Sequence, residues 1–317
     1  MRKVLLFCLV AMLSLSLLSA CTEVAPQRVG DSTGTTPVST TPAAPPPATI
    51  FKAGDTVQYG DLHISVNGFR TSKGGTFMKP DNDFYLIIDL TIENRGAKTS
   101  SISSYLSMEL VDPDKYKHDV AVFADTVGSF DGQLGAGRKV RGEVAFDVDQ
   151  HEYYEFVFSE PFASGQAIWK LEYKDANKAF IPVASLGPPP TTTPTFAVGD
   201  AVKFGDLVIT VNSFRTSTGQ SFMTPDLDQF IIVNLTIENK GSKSAAISSV
   251  MQMELVDAQW YKYDVAIFAD TKGSLDGELG PGRSVRGEVG FDVRRHDQYE
   301  FIFSEPFASG LAIWVLK

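Results

Sequence analysis

Side chains with reactive or metal-binding potential are few in this chain. It carries four histidines and two cysteines in 317 residues. Zinc needs several ligands converging at a defined spacing. His63 and His118 stand apart, His151 and His296 lie in polar connections, and no His or Cys pair has that spacing. Acidic pairs are commoner: Asp81/Asp83, Asp112/Asp114 and Asp125/Asp131. Asp81-x-Asp83 recurs as Asp226-x-Asp228, and Asp125/Asp131 as Asp270/Asp276. Calcium takes six to eight oxygens, often from closely spaced carboxylates. The EF-hand spacing is absent, so these acids read as solvated loop residues, with a calcium-binding surface protein as an alternative. A serine elbow of the Gly-x-Ser-x-Gly kind is missing. Gly135-x-Gly137 and Gly280-x-Gly282 precede strands and lack a third glycine, which makes them turns rather than nucleotide loops. The expectation is a protein that is not an enzyme and holds no cofactor or metal.

One cysteine has a context of its own. Arg2 and Lys3 precede an apolar run from Val4 to Leu18, too short for a comfortable membrane span, with small residues before a cut site. That describes a secretory signal over residues 1–20. Leu18-Ser19-Ala20-Cys21 resembles the lipobox of bacterial lipoproteins, which implies that Cys21 becomes the first mature residue and carries lipid. The protein is then extracytoplasmic and lipid-anchored to the bacterial cell membrane, or to the outer membrane if the envelope has two. Cys8 falls within the signal, so no disulfide can form in the mature chain, and each core must be stable by burial alone.

Charge narrows the partners. The net charge is −10 with 43% hydrophobic residues, and each folded unit carries about −6. With no basic patch, nucleic acid and electrostatic binding to anionic lipid are disfavoured. The expected partners are the membrane, through the N-terminal lipid, and a protein or cell-envelope polymer ligand.

The elements that must position any site come from a duplication. Residues 21–50 are rich in Thr, Pro and Ala and bury too little apolar area to fold. They read as a disordered stalk, whose ~28 residues in polyproline II could reach ~80 Å. Residues 51–171 then align without a gap to 196–316, with about 77 identities in 121 positions. Between the copies a Pro/Thr-rich linker spans 173–195. The modules are therefore 51–172 and 196–317. Their hydrophobic period is two. In the first, Leu62, Ile64 and Val66, then Leu86 to Ile92, Leu106 to Leu110 and Val140 to Val148 alternate with mostly polar residues, and Tyr154, Phe156 and Phe158 precede a last strand around Trp169 and Leu171. One apolar face per strand means one buried face per sheet. About seven short strands separated by turn residues predict an all-β fold: two tandem immunoglobulin-like antiparallel β-sandwiches. Beyond the signal only a helical turn near Ser100–Ser104 is expected. Gly142 and Gly287 sit at inward positions of a strand, which predicts a bulge or a close sheet contact.

The strand FYLIIDLTIENRG, then LVD, then LGAGRKVRGEVAFDV closing on AIWKL, resembles the bacterial domain-of-unknown-function 4352 family. FIIVNLTIENKG, LVD, LGPGRSVRGEVGFDV and AIWVL resemble it again in the second copy. The resemblance implies immunoglobulin-like, telokin-type sandwiches on secreted proteins and lipoproteins. It implies no enzyme activity and no established ligand.

The polar stretches shared by both copies yield a candidate interaction surface: Arg70, Asp125, Glu160 and Phe162, with Arg215, Asp270, Glu305 and Phe307. Aromatic residues contribute most at interfaces, although Phe162 and Phe307 also suit a plug at the open end of each sandwich. Arg141 and Glu143, two apart on one strand face, are expected to pair at the surface. The functional expectation is a binding or adhesion module, bivalent through its duplication. The alternative is an envelope structural or accessory lipoprotein without its own ligand.

Overall fold

The structure, a computed structural model, describes residues 27–28, 49–75, 78–122, 124–161, 165–178, 193–220, 223–305 and 310–317. The signal peptide, Cys21, most of the stalk and of the 173–195 linker, Phe162 and Phe307 lie outside them.

Each copy folds as two sheets packed face to face. In the first module Thr56–Tyr59, Leu62–Ser72, Phe84–Asn94 and Lys139–Val148 pair in that order, each antiparallel to the next. Gln27–Arg28 add to the outer edge of Thr56–Tyr59, so the stretch read as structureless stalk supplies a short edge strand. The facing sheet runs Ile50–Lys52, Ala167–Glu172, Tyr153–Phe158, Met108–Val111 and Lys117–His118. The second module repeats both sheets, from Thr195–Ala197 through Leu311–Leu316, with no counterpart of Gln27–Arg28 among the described residues. The opening strand is parallel to the closing one in both modules, a departure from a wholly antiparallel sandwich. A parallel pair needs a long crossover, and here the whole module is that crossover.

Alternation places the core as expected. Ile64, Val66, Ile88, Leu90, Ile92, Phe146, Phe156 and Leu171 are fully buried, as are their counterparts in the second module. At the centre, Trp169 lies 6.1 Å from Phe51 and 5.7 Å from Phe156 between ring centroids. Its indole N–H donates to the Asp55 carbonyl at 3.3 Å, so the one polar atom of the ring is satisfied. Trp314 repeats this with Phe196, Phe301 and the Asp200 carbonyl.

Two further expectations change, and at Gly142 one of two alternatives holds. Leu106 is 64% exposed rather than inward, because the chain there makes a helical turn, Ser104–Ser107, instead of a strand. Asp131 tethers that turn by accepting from the backbone N–H and hydroxyl of Ser104, both at 2.8 Å. Next, the long-stranded sheet is buried on both faces at Phe84–Asn94. Tyr85, Ile87 and Ala145 pack beneath Ala121 and Ala124 of the loop that crosses the outer face. Finally, Gly142 lies in unbroken register. A Cβ there would stand 3.2 Å from the Phe130 ring, so close contact is its reason. The bulges fall instead at Asn67 and Asn212, between Val66/Gly68 and Val211/Ser213.

Residues 173–178, placed in the linker by composition, fold back on the first module. Tyr173 stacks on Phe84 at 5.7 Å, and the Asn177 N–H donates to the Phe69 carbonyl at 2.9 Å.

Replacing Trp314 by Ala removes the largest buried ring of the second module and should cost about 3–5 kcal/mol. Leu106→Ala should stay within about 0.5 kcal/mol, as at other exposed positions. Chemical denaturation midpoints of the two variants check both values.

Candidate interaction surface

The long-stranded sheet positions the shared polar residues. Arg70, near the end of Leu62–Ser72, reaches across the sheet to Glu143 on Lys139–Val148 at 2.9 Å and donates to the Asp125 carbonyl at 3.2 Å. Glu143 also accepts from the Val127 backbone N–H at 3.0 Å. The cluster therefore staples the crossing loop to the sheet. Arg215, Glu288 and the Asp270 carbonyl repeat it, at 3.1 and 2.6 Å. Burial opposes the charge of Glu288, but the bonds from Arg215 and the Lys272 backbone outweigh it and hold the carboxyl below its ordinary range. Glu143 thus pairs with Arg70, not with Arg141 as its strand face suggested. Arg141 points to Asp89 instead, at 2.9 Å.

Glu160 and Glu305 lie elsewhere, after the strands Tyr153–Phe158 and Tyr299–Ser304 of the facing sheets. Burial raises the Glu160 carboxyl, with Asp61 adding to the effect. Glu305 accepts from the Gln252 amide at 3.0 Å through its side chain and from Gln133 of the first module at 2.6 Å through its carbonyl.

The repeated acids Asp81, Asp83, Asp226 and Asp228 are exposed loop residues, as expected, and their loops are held by carboxylate bonds to backbone. Asp147 accepts the N–H groups of Asp81 and Asn82 at 2.7 and 3.0 Å, and Asp83 accepts that of Gln150 at 2.9 Å. Asp292 and Asp228 do the same in the second module. Among the described residues no three His, Cys, Asp or Glu side chains are grouped as metal ligands. Asp112, 3% exposed, faces His118 at 3.1 Å and His151 at 3.8 Å. Its counterpart Asp257 faces Tyr263 at 2.7 Å and His296 at 3.2 Å. These groups tie the hairpin 111–118 to the connection after Lys139–Val148.

Composition gave no sign of the contact between the modules. The second module's hairpin at 257–262 inserts against the first module's sheet edge. The Arg141 N–H donates to the Trp260 carbonyl at 2.6 Å and the Ser129 N–H to the Lys262 carbonyl at 2.9 Å, forming a parallel bridge between Arg141 and Tyr261. The Tyr261 hydroxyl donates to Asp89 at 2.6 Å, and the Arg141 guanidinium lies 4.8 Å from the ring centroid. Asp89 is 1% exposed and also accepts from the Asn67 amide. Gly128, at φ 77°, lines the seat: a Cβ there would stand 2.9 Å from the Arg141 carbonyl oxygen and 3.1 Å from the Tyr261 ring. Arg138–Glu300 and Lys262 on the Asp131 carbonyl flank it. Isolated, Asp89 reads as a polar strand residue; only the second module explains its burial.

Apolar side chains stand out in water at matching places in both modules. On the helical turns these are Tyr105 (59%) and Leu106, and Val250 (59%) and Met251 (61%). On the crossing loops they are Val122 (68%), and Ile267 (76%) and Phe268 (75%). In the first module Tyr105, Val120 and Val122 share a cleft of about 370 Å³ with Glu143 and with Asp264 from the second. Among the described residues no helix is long and apolar enough to cross a membrane.

Two outcomes follow. Burial works against ionisation of Asp112, but the bonds from His118 and the Tyr116 backbone leave its carboxyl below the ordinary value of 3.8. Its contribution to stability is thus present above that value and is lost as pH falls through the lower folded value. The stability gap between wild type and Asp112→Asn should be constant near neutrality and close in acid, as followed by urea titrations from pH 7 to 2. Tyr261→Ala should cost roughly 2–4 kcal/mol of joint stability through lost packing and hydrogen bonding. Calorimetry should then split the unfolding into two transitions, and the radius of gyration by X-ray scattering should rise.

No curated protein matches the chain. Among solved structures, the chain is similar to a secreted protein of Mycobacterium tuberculosis, MPT63, at 17% identity over 39% of this chain and 97% of that one, with a TM-score of 0.33. It is similar to an uncharacterized beta-sandwich protein of Clostridium difficile, at 13% identity over 40% and 95%, with a TM-score of 0.30. The yjhA protein of Bacillus subtilis aligns at 22% identity over 39% and 100%, with a TM-score of 0.31. The family model described as Domain of unknown function (DUF4352) matches residues 51–168 and again 196–313. Those two stretches are the two sandwiches described above, and the chain belongs to the DUF4352 family.

Proposed function

We propose that the protein is a lipid-anchored, extracytoplasmic binding module without catalytic activity, presenting two similar sites to a protein or cell-envelope polymer. The observation that carries this reading is the pair of exposed apolar patches, Tyr105, Leu106 and Val122 in one module and Val250, Met251, Ile267 and Phe268 in the other. Exposing apolar surface is unfavourable, and clustered exposed apolar groups commonly mark interaction sites. Both patches are held rigidly. Asp131 and Asp276 cap the helical turns, and the Arg70–Glu143 and Arg215–Glu288 pairs pin the crossing loops. Two like sites on one body gain avidity for a repetitive target. The sequence around Cys21 supports the anchor, and the stalk ahead of the first module supports display away from the lipid.

Retention of purified envelope polymer and of envelope protein on the immobilised chain tests the binding. Tyr105→Asp with Leu106→Asp should weaken retention on the order of 10–100-fold, as for loss of one of two linked sites. Adding Val250→Asp and Met251→Asp should abolish it, whereas retention unchanged in the four-fold variant removes the reading. Separately, Cys21→Ala should move the protein from the membrane to the soluble fraction, and a protein that stays with the membrane refutes the anchor.

A further inference from the structure

The joint between the modules is heterologous: a hairpin on one side and a sheet-edge seat on the other. A duplicated chain that uses the second hairpin and the first seat retains a first hairpin and a second seat. Both have the required shape. Lys115 at the tip of the first hairpin has φ 73°, as Trp260 has 69° in the second. Tyr116 is 70% exposed, where its counterpart Tyr261 is 2% exposed in the joint. On the second seat Arg286 pairs with Thr236 as Arg141 pairs with Thr91, which directs its backbone N–H to the same outer edge. Gly273 keeps the left-handed conformation of Gly128, at φ 71°, with no ring against it. The Asn234 side-chain oxygen, where the first seat has Asp89, is held by the Arg286 guanidinium at 2.9 Å and the Asn212 amide at 3.0 Å.

Two of the differences between the copies are matched in charge. Around Tyr261 the internal joint uses Val127, which joins the second module's core, and Arg294, 5.2 Å from the ring centroid. At the unused parts Val127 is replaced by Lys272 and Arg294 by Asp149. At the seat Lys272 adds a cation and Asn234 removes a carboxylate, against Ser284 in place of Lys139 and Glu278 in place of Gln133; at the hairpin Asp149 replaces a cation, against Lys115 in place of Trp260. Opposite charges on facing surfaces favour encounter and fix register. Arg283 and Glu155 hold the places of Arg138 and Glu300, with Glu155 now 3.9 Å from Lys115 of the hairpin.

We propose that copies of this chain associate head to tail, the first module's hairpin at Tyr116 entering the second module's seat at Asn234 and Arg286 of the next copy. A heterologous contact that does not close continues as a linear array. The contact is weaker than the internal joint, because Glu278 replaces the donor Gln133 and Lys115 replaces Trp260. High local density, as on a membrane surface, would favour it.

Sedimentation equilibrium of the purified full chain, in a series reaching about millimolar concentration, tests this. The weight-average mass should climb beyond that of a dimer. Tyr116→Ala, a substitution at an exposed side chain, should return it to a single chain with unchanged circular dichroism. Lys272→Glu should lower the association constant about tenfold, and adding Asp149→Lys should restore it to within about threefold, as for a directly coupled pair. A mass that stays at one chain throughout, a rise unaffected by Tyr116→Ala, or a charge reversal that fails to recover association overturns the proposal.

Discussion

A buried carboxylate governs the arrangement of this protein. Asp89 lies in the middle of the strand Phe84–Asn94, sealed from solvent. An isolated charge in such a place is strongly unfavourable, so it has to be compensated. Arg141 comes from the neighbouring strand, Asn67 from the bulge on the other side, and the Tyr261 hydroxyl from the other module. The bulge at Asn67 turns an amide toward the carboxylate that regular alternation would have placed differently. The same network draws the Tyr261 ring against Arg141 and brings two hairpin carbonyls within reach of the sheet edge. Burial pushes the Tyr261 hydroxyl far above its ordinary range, with Asp89 adding to the effect, so it remains a donor at any physiological pH.

The duplicated position shows what that carboxylate does. In the second module Asn234 replaces Asp89, and Arg286 and Asn212 still converge on it, so the fold survives without the charge. What differs is the neighbourhood. Where Asp89 is present a hairpin covers the edge and Tyr261 is buried; around Asn234 Arg286 remains exposed. The charge at this position therefore concerns which surfaces meet rather than whether the sandwich forms. An edge strand offering unpaired N–H groups invites pairing, and here one edge is occupied by a neighbour within the same chain.

Much of the sandwich was legible in the sequence. The alternation through Leu86, Ile88, Leu90 and Ile92 placed the strand and its inner face, and Trp169 and Trp314 marked the closing strand. Asn94-Arg95-Gly96 marked a turn, and its Asn94 amide indeed bonds the Lys98 and Leu134 carbonyls at 2.7 and 2.8 Å. The outer face was not legible. Ile87 and Tyr85 are buried because a loop distant in sequence lies across them, and a period-two pattern says nothing about loops packed from above. Leu106 misled for the converse reason: it continues the strand's phase, yet the capping of Ser104 by Asp131 turns the chain into a helical turn there.

The sequence by itself determined the duplication, the strand period, the inner faces of the sheets and the motif at Cys21, because each is written in adjacent residues. Tertiary structure alone decided the partners of charged groups: Arg70 with Glu143, Arg141 with Asp89, and Tyr261 with both Asp89 and Arg141. Apolar burial depends on local pattern, because any neighbour of the right size satisfies it. Ion pairs and hydrogen bonds need particular atoms within about 3 Å. Residues 52 and 73 positions apart meet at that distance only once a sandwich has formed, and those 172 apart only after the two sandwiches have docked.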